Sequence, residues 1–321
     1  MVKERSNVIL NLSNYYRNQS VRISVFSRFL GEDIFDTYFY LRSIGLKSFT
    51  NKEKIKDNKR DLVLDITSIF TIHSLEIEEL IKENYNLFIS HKTLHELDSI
   101  LERTKHKNSQ ESMTIFEDEG EIYRQDPNYE TKISEITKII GWATSNCKTQ
   151  PSKKLFELTE EQFEIINYLK EYNYEDILLA MDNKLLVSDD LIFKEMFKGK
   201  FHIETCGTLN LLENLFYNNK IKKEEYEELI SQLFIWNYGD VPISSQLIDN
   251  MIKKGEYRVL IRFLIKSNEY SNFETLVNYL ISNLNKNDSI EYVCYQMINN
   301  TLFNRKFKNC LLNIPIDGLN D

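Results

Sequence analysis

Hydrophobic and polar positions change their pattern along the chain. Residues 1–50 carry apolar side chains at helical spacing, and a charged stretch that ends at Arg60 follows them. Short, nearly continuous apolar runs then alternate with amphipathic segments until about residue 206, after which helical spacing returns. We therefore predict a helical N-terminal arm and linker (1–58), a central α/β domain (59–206) and an α-helical domain (207–321).

The central segment contains four candidate strands. They are DLVLDIT (61–67), NLFIS (86–90), KLLVSD (184–189) and KFHIET (200–205). Continuous apolar runs of this length are typical of strands that are buried on both faces. Helical patterns lie between them, and strand–helix–strand–helix order favours a parallel sheet. A polar, acid-rich stretch at about 108–152 is predicted to be an insertion, partly helical.

Composition excludes several classes of protein. The 321 residues include only 9 Gly and 4 Pro, so long helices are favoured over the tight turns of a β-sandwich. The net charge of −9 excludes a generally basic surface for nucleic acid, although a local basic groove is compatible with it. The four cysteines are scattered and form no CxxC pair, which is typical of reduced thiols. The chain also has no apolar run of membrane length and no signal-peptide core. We therefore predict a cytoplasmic protein that does not enter membranes.

Acidic residues follow the strands at one predicted edge of the sheet. Asp65 ends the first strand, and Asp189 ends the strand LLVS. Glu96 lies in the first turns of the helix after the second strand, and Asp176 begins a short helix before LLVS. No Lys or Arg lies within a few residues of Asp65, Asp176 or Asp189. Because functional groups collect at the carboxyl ends of parallel strands, we expect the four carboxylates to meet there.

Such a cluster predicts a hard metal ion. Carboxylates without counter-charge raise one another's pKa, and a divalent cation removes that cost. Mg²⁺ and Mn²⁺ prefer oxygen ligands, and either ion can lower the pKa of a bound water and stabilise charge on a phosphate. Three short hydroxyls, Thr67, Ser68 and Ser188, stand beside the acids, where they can orient a water or substrate, or cap the following helices.

The order of these motifs resembles the PIN-domain nucleases. The matching stretches are VLDITSIF (63–70), FISHKTLHEL (88–97), EDILLAM (175–181) and LLVSDD (185–190). The resemblance implies a three-layer α/β/α fold and metal-dependent endonuclease activity, usually on RNA. It transfers a metal-binding and catalytic role to Asp65, Glu96, Asp189 and Asp176. Glu175 and Asp182 are alternatives for Asp176.

Together these patterns predict an endoribonuclease that uses Mg²⁺ or Mn²⁺, with a protein partner for the helical C-terminal domain. Two alternatives stay open: an inactive PIN-like scaffold that binds protein or RNA, and a structure-specific DNA nuclease. Asp65 and Asp189 can also be simple helix caps, with Asp190 as a rival cap, and Glu96 can be a solvated helix residue. The oligomeric state is not predicted.

Overall fold

The computed structural model describes residues 22–44, 55, 61–109, 114–118, 121–125, 128–168, 174–236, 238, 241–242, 244–256, 279 and 282–283. Predictions that fall on the remaining residues, including much of the N-terminal arm and most of the chain after residue 256, lie outside this description. The chain divides into two compact units, Met1–Ile221 and Lys222–Asp321. Helix 208–217, predicted to open the C-terminal domain, lies within the first unit.

A parallel five-stranded sheet forms the centre of the first unit, as the predicted α/β class requires. The strands are β1 (Asp61–Leu64), β2 (Asn86–Ile89), β5 (Lys148–Thr149), β6 (Leu185–Val187) and β7 (Glu204–Cys206). Across the sheet they lie in the order β5-β2-β1-β6-β7. Val63 at the middle of β1 pairs with Phe88 on one side and with Leu186 on the other. These three side chains lie on one face of the sheet and are buried. Leu62 and Leu64 point to the other face and are also buried, so the sheet has apolar contacts on both faces.

The predicted insertion contains strands that its sequence did not indicate. β3 (Thr114–Asp118) and β4 (Glu121–Gln125) form an antiparallel hairpin. The prediction of four strands in the central sheet was wrong by one, because β5 pairs with Phe88 and Ile89 at the sheet edge. Both residues of β5 are exposed, so backbone hydrogen bonds define this strand and no apolar run marks it.

Helices account for most of the remaining described residues. They are α1 (Ile23–Leu30), α2 (Ile34–Ile44), α3 (Ile66–Ser74), α4 (Glu78–Asn84), α5 (His91–Ser109), α6 (Tyr129–Asn146), a 3₁₀ turn (Lys154–Glu157), α7 (Glu160–Tyr168), α8 (Tyr174–Ala180), α9 (Leu191–Phe201), α10 (Thr208–Tyr217), α11 (Lys223–Ile235) and α12 (Ser245–Lys253). The single helix predicted after the first strand is two helices. Glu76 has a φ of 56°, a left-handed conformation that ends a helix.

Two groups of apolar side chains hold the first unit together. Ile177 on α8 and Phe197 on α9 lie in one buried cluster with Val63 and Leu186 of the sheet. In the other group, Phe35 of α2 meets Phe70 of α3 edge to face, with ring centroids 5.1 Å apart. The described part of the N-terminal arm is therefore packed against the α/β domain.

In the second unit, α11 and α12 pack against each other. Lys254 Nζ lies 3.5 Å from Glu228 Oε1, and the Asn250 amide donates to Ser231 Oγ at 3.4 Å. Among the described residues, no helix has the length and apolar character needed to cross a membrane.

Lys132 of α6 is a testable attachment point for the arm. Its Nζ lies 2.8 Å from Asp33 Oδ2 and 2.7 Å from Asp36 Oδ2, and its side chain is 10% exposed. Since removing one partner of a buried ion pair strands the other charge, we expect Lys132→Met to lower the free energy of unfolding by about 2–4 kcal/mol in urea titrations. Lys138→Met on the same helix is the control, because Lys138 is 62% exposed and pairs with Glu135 at the surface. Equal losses in the two variants would contradict this role.

Candidate acidic site

Asp65 lies directly after β1 and is 1% exposed. Its Oδ1 accepts the backbone N–H of Ser68 at 2.8 Å, so it caps α3, as the alternative interpretation expected. The Thr67 hydroxyl donates to the same carboxylate at 2.8 Å, and the Ser188 hydroxyl donates to Oδ2 at 2.5 Å. The Asp65 side chain therefore both caps α3 and belongs to the acidic site.

The same two hydroxyls connect β1 to the end of β6. Thr67 Oγ1 accepts the backbone N–H of Asp189 at 2.9 Å, and Ser188 Oγ accepts that of Asp190 at 3.1 Å. Each hydroxyl uses its proton toward Asp65 and its lone pair toward the β6 backbone. The predicted hydroxyl residues Thr67 and Ser188 thus fix the relative position of the two strand ends.

Asp176 is completely buried in the first turn of α8. The Thr93 hydroxyl lies 2.9 Å and 3.1 Å from its two carboxylate oxygens, and the Ser90 hydroxyl donates to Thr93 Oγ1 at 3.1 Å. Both hydroxyls come from the junction of β2 and α5. The alternative third acids lie elsewhere: Glu175 accepts the backbone N–H of Lys92 at 3.1 Å, and Asp182 lies near Lys184.

Burial dominates the titration of these two acids. It raises the pKa of Asp65 to about 7, although hydrogen bonds from Ser188, Ser68 and Thr67 lower it. Burial, together with the charge of Asp65, likewise raises the pKa of Asp176 to about 8. The charge of Asp65 is thus one of the causes that raise the pKa of Asp176, which places the two carboxylates within electrostatic reach of each other. Both are therefore held in a site where a negative charge is poorly compensated.

Asp189 is also completely buried, and its carboxylate accepts hydrogen bonds from two other elements. Oδ1 accepts the backbone N–H of Thr208 at 2.8 Å, at the start of α10, and Oδ2 accepts the hydroxyl of the same residue at 2.8 Å. The Thr71 hydroxyl donates to Oδ2 at 2.5 Å, and the Tyr38 hydroxyl of α2 lies 2.5 Å from that of Thr71. Asp189 therefore joins β6 to α3 and α10.

Asp190, the rival cap, has a separate structural role. Its Oδ1 accepts the backbone N–H of Phe193 and so caps α9, while Oδ2 accepts the backbone N–H of Ile23 at 2.8 Å. Burial raises the pKa of Asp190, and these two N–H donors lower it. The residue binds the amino end of α1 to the α/β domain.

Glu96 is less deeply buried than the other three predicted acids. It is on α5, its side chain is 22% exposed, and its Oε1 accepts from Arg103 at 2.8 Å. Other basic residues of α5 are also paired, Lys105 with Glu102 and Lys107 with Glu32. The structure therefore brings Asp65, Asp176 and Asp189 to the carboxyl edge of the sheet and gives Glu96 an arginine partner at the surface.

Lys194 is a charged neighbour that sequence reasoning missed. It lies five residues after Asp189, on α9, and is 1% exposed. Burial lowers its pKa, and nearby Asp189, Cys206, Asp65 and Asp190 raise it. The sequence offers one signal for this neighbour, which is the position of Lys194 in the first turns of the helix after the strand LLVS. Because a helix advances only about 1.5 Å per residue, that position stays close to the strand end.

The donor set of this edge suits a hard cation. Asp65 and Asp176 supply buried carboxylate oxygens, with hydroxyl oxygens around them, and nitrogen or sulfur ligands are not needed for Mg²⁺ or Mn²⁺. Within the residues that the structure describes, no group of three or more His, Cys, Asp or Glu side chains is arranged to hold a metal ion. A cation would therefore rely on two of the predicted acids and on water.

Comparison with protein families assigns this α/β unit. Residues 63–199, less than half of the chain, match a family described as a PIN domain associated with the TPR-GreAB-C-PIN system. Comparisons with curated proteins and with solved structures give no match. The matched segment begins in β1 and ends in α9, and it includes Asp65, Glu96, Asp176 and Asp189. It is a PIN domain, a class whose members are generally nucleases, and the resemblance seen in the sequence is confirmed.

Proposed function

We propose that this protein is a metal-dependent endoribonuclease whose active site is the carboxyl edge of the PIN-domain sheet. The observation that supports it best is the pair Asp65 and Asp176, two buried neighbouring carboxylates with raised pKa values. A fold does not gain stability by burying two such acids together. Their placement is best explained by a cation that binds them.

Asp65 and Asp176 would hold Mg²⁺ or Mn²⁺, which when bound supplies positive charge for the phosphate and acidifies a water. Thr67 and Ser188 keep the Asp65 oxygens in place, and Ser90 and Thr93 do the same for Asp176. Asp189 fixes the adjacent strand end. Glu96 would join the ligands only after leaving Arg103.

The chain's own residues therefore act mainly by position and charge. The Thr67 and Ser188 hydroxyls donate their protons to the Asp65 carboxylate. The lone pairs of the carboxylate that accept no hydrogen bond stay available for a metal ion. Ser68 contributes its backbone N–H to Asp65, and its hydroxyl donates to the Asp65 backbone carbonyl at 2.9 Å. We propose that Ser68 positions the catalytic acid in this way.

A cleavage assay of the full chain tests this proposal. Labelled single-stranded RNA, hairpin RNA, single-stranded DNA and flap DNA are incubated with Mn²⁺, with Mg²⁺ or with EDTA. We expect internal cuts in RNA with either metal and none with EDTA. Cleavage of the DNA substrates alone would favour the structure-specific DNA nuclease.

The inactive scaffold is the second candidate, and the ion pair between Glu96 and Arg103 favours it because one predicted ligand is already neutralised. Titration calorimetry with Mn²⁺ on the same preparation separates the two functions. Metal binding together with RNA cleavage supports the nuclease, whereas RNA binding with neither metal binding nor cleavage supports the scaffold.

We also propose a reducing, cytoplasmic setting and a protein partner. Within the described residues, Cys147 and Cys206 are buried and are not joined in a disulfide. The matched family is named for a system that includes TPR and GreAB-C components, and the helices after the PIN domain are the surface we propose for a protein contact.

A further inference from the structure

We propose that Tyr38 of the N-terminal arm is a positioning residue of the acidic site, on which it acts through the hydroxyl of Thr71. Helices α1 and α2 are then part of the active nuclease rather than a separate appendage. The effect of Tyr38 on cleavage rests on the proposed nuclease function. Its effect on the end of β6 does not, and that effect is measured separately.

Two consecutive hydrogen bonds connect α2 to the carboxylate of Asp189. Thr71 Oγ1 lies 2.5 Å from Asp189 Oδ2, and Tyr38 Oη lies 2.5 Å from the same Thr71 oxygen. All three side chains are fully buried, and hydrogen bonds are electrostatically stronger in the interior than in water. The Tyr38 hydroxyl is therefore linked to the end of β6 within the protein interior.

The chemistry of the three groups fixes the direction of these bonds. A hydroxyl has one proton to donate, and a carboxylate oxygen accepts. The Thr71 hydroxyl lies 2.5 Å from Asp189 Oδ2 and 3.0 Å from the backbone carbonyl of Thr67, so its proton is directed to the carboxylate. The Tyr38 hydroxyl then donates to a lone pair of Thr71. Removing the Tyr38 hydroxyl removes the donor that selects this direction, so the Thr71 proton can turn to the Thr67 carbonyl and leave Asp189.

The arm also binds the residue that follows Asp189. Asp190 Oδ2 accepts the backbone N–H of Ile23 at 2.8 Å, at the start of α1. Two consecutive residues at the end of β6 are therefore held by the two helices of the arm, one directly and the other through Thr71. Contacts at two successive positions restrain the strand end more firmly than either contact alone.

The same strand end determines the surroundings of Asp65. The N–H of Asp189 donates to Thr67 Oγ1 at 2.9 Å, and the N–H of Asp190 donates to Ser188 Oγ at 3.1 Å. Both hydroxyls donate in turn to the Asp65 carboxylate. A shift of the strand end therefore moves the two hydroxyls that orient the proposed catalytic acid.

Steady-state RNA cleavage with Mn²⁺ tests the effect of Tyr38 on the site. Tyr38→Phe removes the hydroxyl and keeps the ring, whose centroid lies 5.4 Å from that of Phe70. We expect kcat to fall about tenfold, with KM for RNA within about twofold, because the buried Tyr38 does not contact the substrate. Tyr40→Phe, the same change two residues along α2, is the matched control and should leave kcat within about twofold. Equal kcat values in the two variants would overturn the proposal.

Substitutions at Thr71 distinguish a hydrogen-bond relay from general packing. Thr71→Ser keeps the hydroxyl and should keep kcat within about threefold, whereas Thr71→Val has a similar shape without a hydroxyl and should lose about tenfold. In the Thr71→Val background, Tyr38→Phe should cause no further loss of kcat, because the hydroxyl through which Tyr38 acts is gone. Independent, multiplied losses in the double variant would overturn the relay.

Hydrogen exchange in EDTA tests the strand end without any cleavage. In Tyr38→Phe the amides of Asp189 and Asp190 should exchange at least tenfold faster than in wild type, while those of β2 change little. Equal acceleration in both segments is the signature of a general loss of stability, and that result, or no acceleration, would overturn the positioning role. If wild type cut no RNA, the proposed nuclease would fail, and the exchange of these two amides would still decide whether Tyr38 holds the strand end.

Discussion

Asp65→Asn is expected to lower Mn²⁺-dependent RNA cleavage by roughly 1000-fold, which corresponds to about 4 kcal/mol of transition-state stabilisation. The amide has the shape of the carboxylate, and its oxygen can still accept the Ser68 N–H and the Thr67 hydroxyl. The cap of α3 is therefore kept, whereas the negative charge that binds the cation is lost. The measurement is the initial rate of RNA cleavage under single-turnover conditions, with the Tm recorded for each variant.

Asp61→Asn is the matched control for this prediction. Asp61 begins the same strand, at the opposite edge of the sheet, where its Oδ1 accepts from Asn86 at 2.9 Å. The chemical change and the strand are the same, but Asp61 lies at the other end of β1 and is not buried. Cleavage should stay within about threefold of wild type, because surface changes of this kind alter stability little. If Asp61→Asn reduced cleavage as much as Asp65→Asn, the acidic edge would not be the active site.

The central sheet could be predicted because its main strands are apolar on both faces. The runs around Val63, Phe88 and Leu186 differ clearly from the amphipathic helices between them, and the parallel order follows from the helices that connect the strands. β5 has no such signal, since its two exposed residues are held by backbone pairing alone. The break at Glu76 depends on one left-handed residue, which periodicity does not detect.

The site could be predicted as far as the positions of strand ends determine it. Asp65 and Asp189 follow adjacent parallel strands, and the structure joins them through the Thr67 hydroxyl. Local motifs do not reveal compensation from distant elements. Thr208 reaches Asp189 from beyond β7, and Arg103 pairs with Glu96 two turns later on α5. Three-dimensional packing decides which of the acids still lack a positive partner, and this is the question that matters for binding a cation.

Metal-free protein should lose stability as the pH rises, and Asp65 should cause a measurable share of that loss. The pKa of its carboxyl is about 7 in the folded protein, whereas an unperturbed aspartate, as in an unfolded chain, has a pKa of 3.8. A raised folded pKa means that the native state holds the proton more tightly, so the stabilisation is complete below about pH 4 and is lost as the pH rises through 7. Between pH 5 and pH 8 we expect wild type to lose roughly 2–3 kcal/mol relative to Asp65→Asn, which does not titrate.

The comparison with Asp65→Asn is needed because other groups titrate in the same range. Glu78 raises the pKa of His73, with Glu135 contributing, and that pairing is also lost as the pH rises. Since His73 is present in both proteins, its effect cancels in the difference. Asp176 also titrates in this range, and because the charge of Asp65 helps to raise its pKa, the measured difference includes the repulsion between the two acids. Urea titrations in EDTA at each pH give the difference directly. Mn²⁺ should then restore wild type at pH 8, where the carboxylate is ionised, and have little effect at pH 5 or on Asp65→Asn. A pH-independent difference would show that Asp65 is not an uncompensated buried acid. Equal stabilisation of both proteins by Mn²⁺ would show that Asp65 is not a metal ligand.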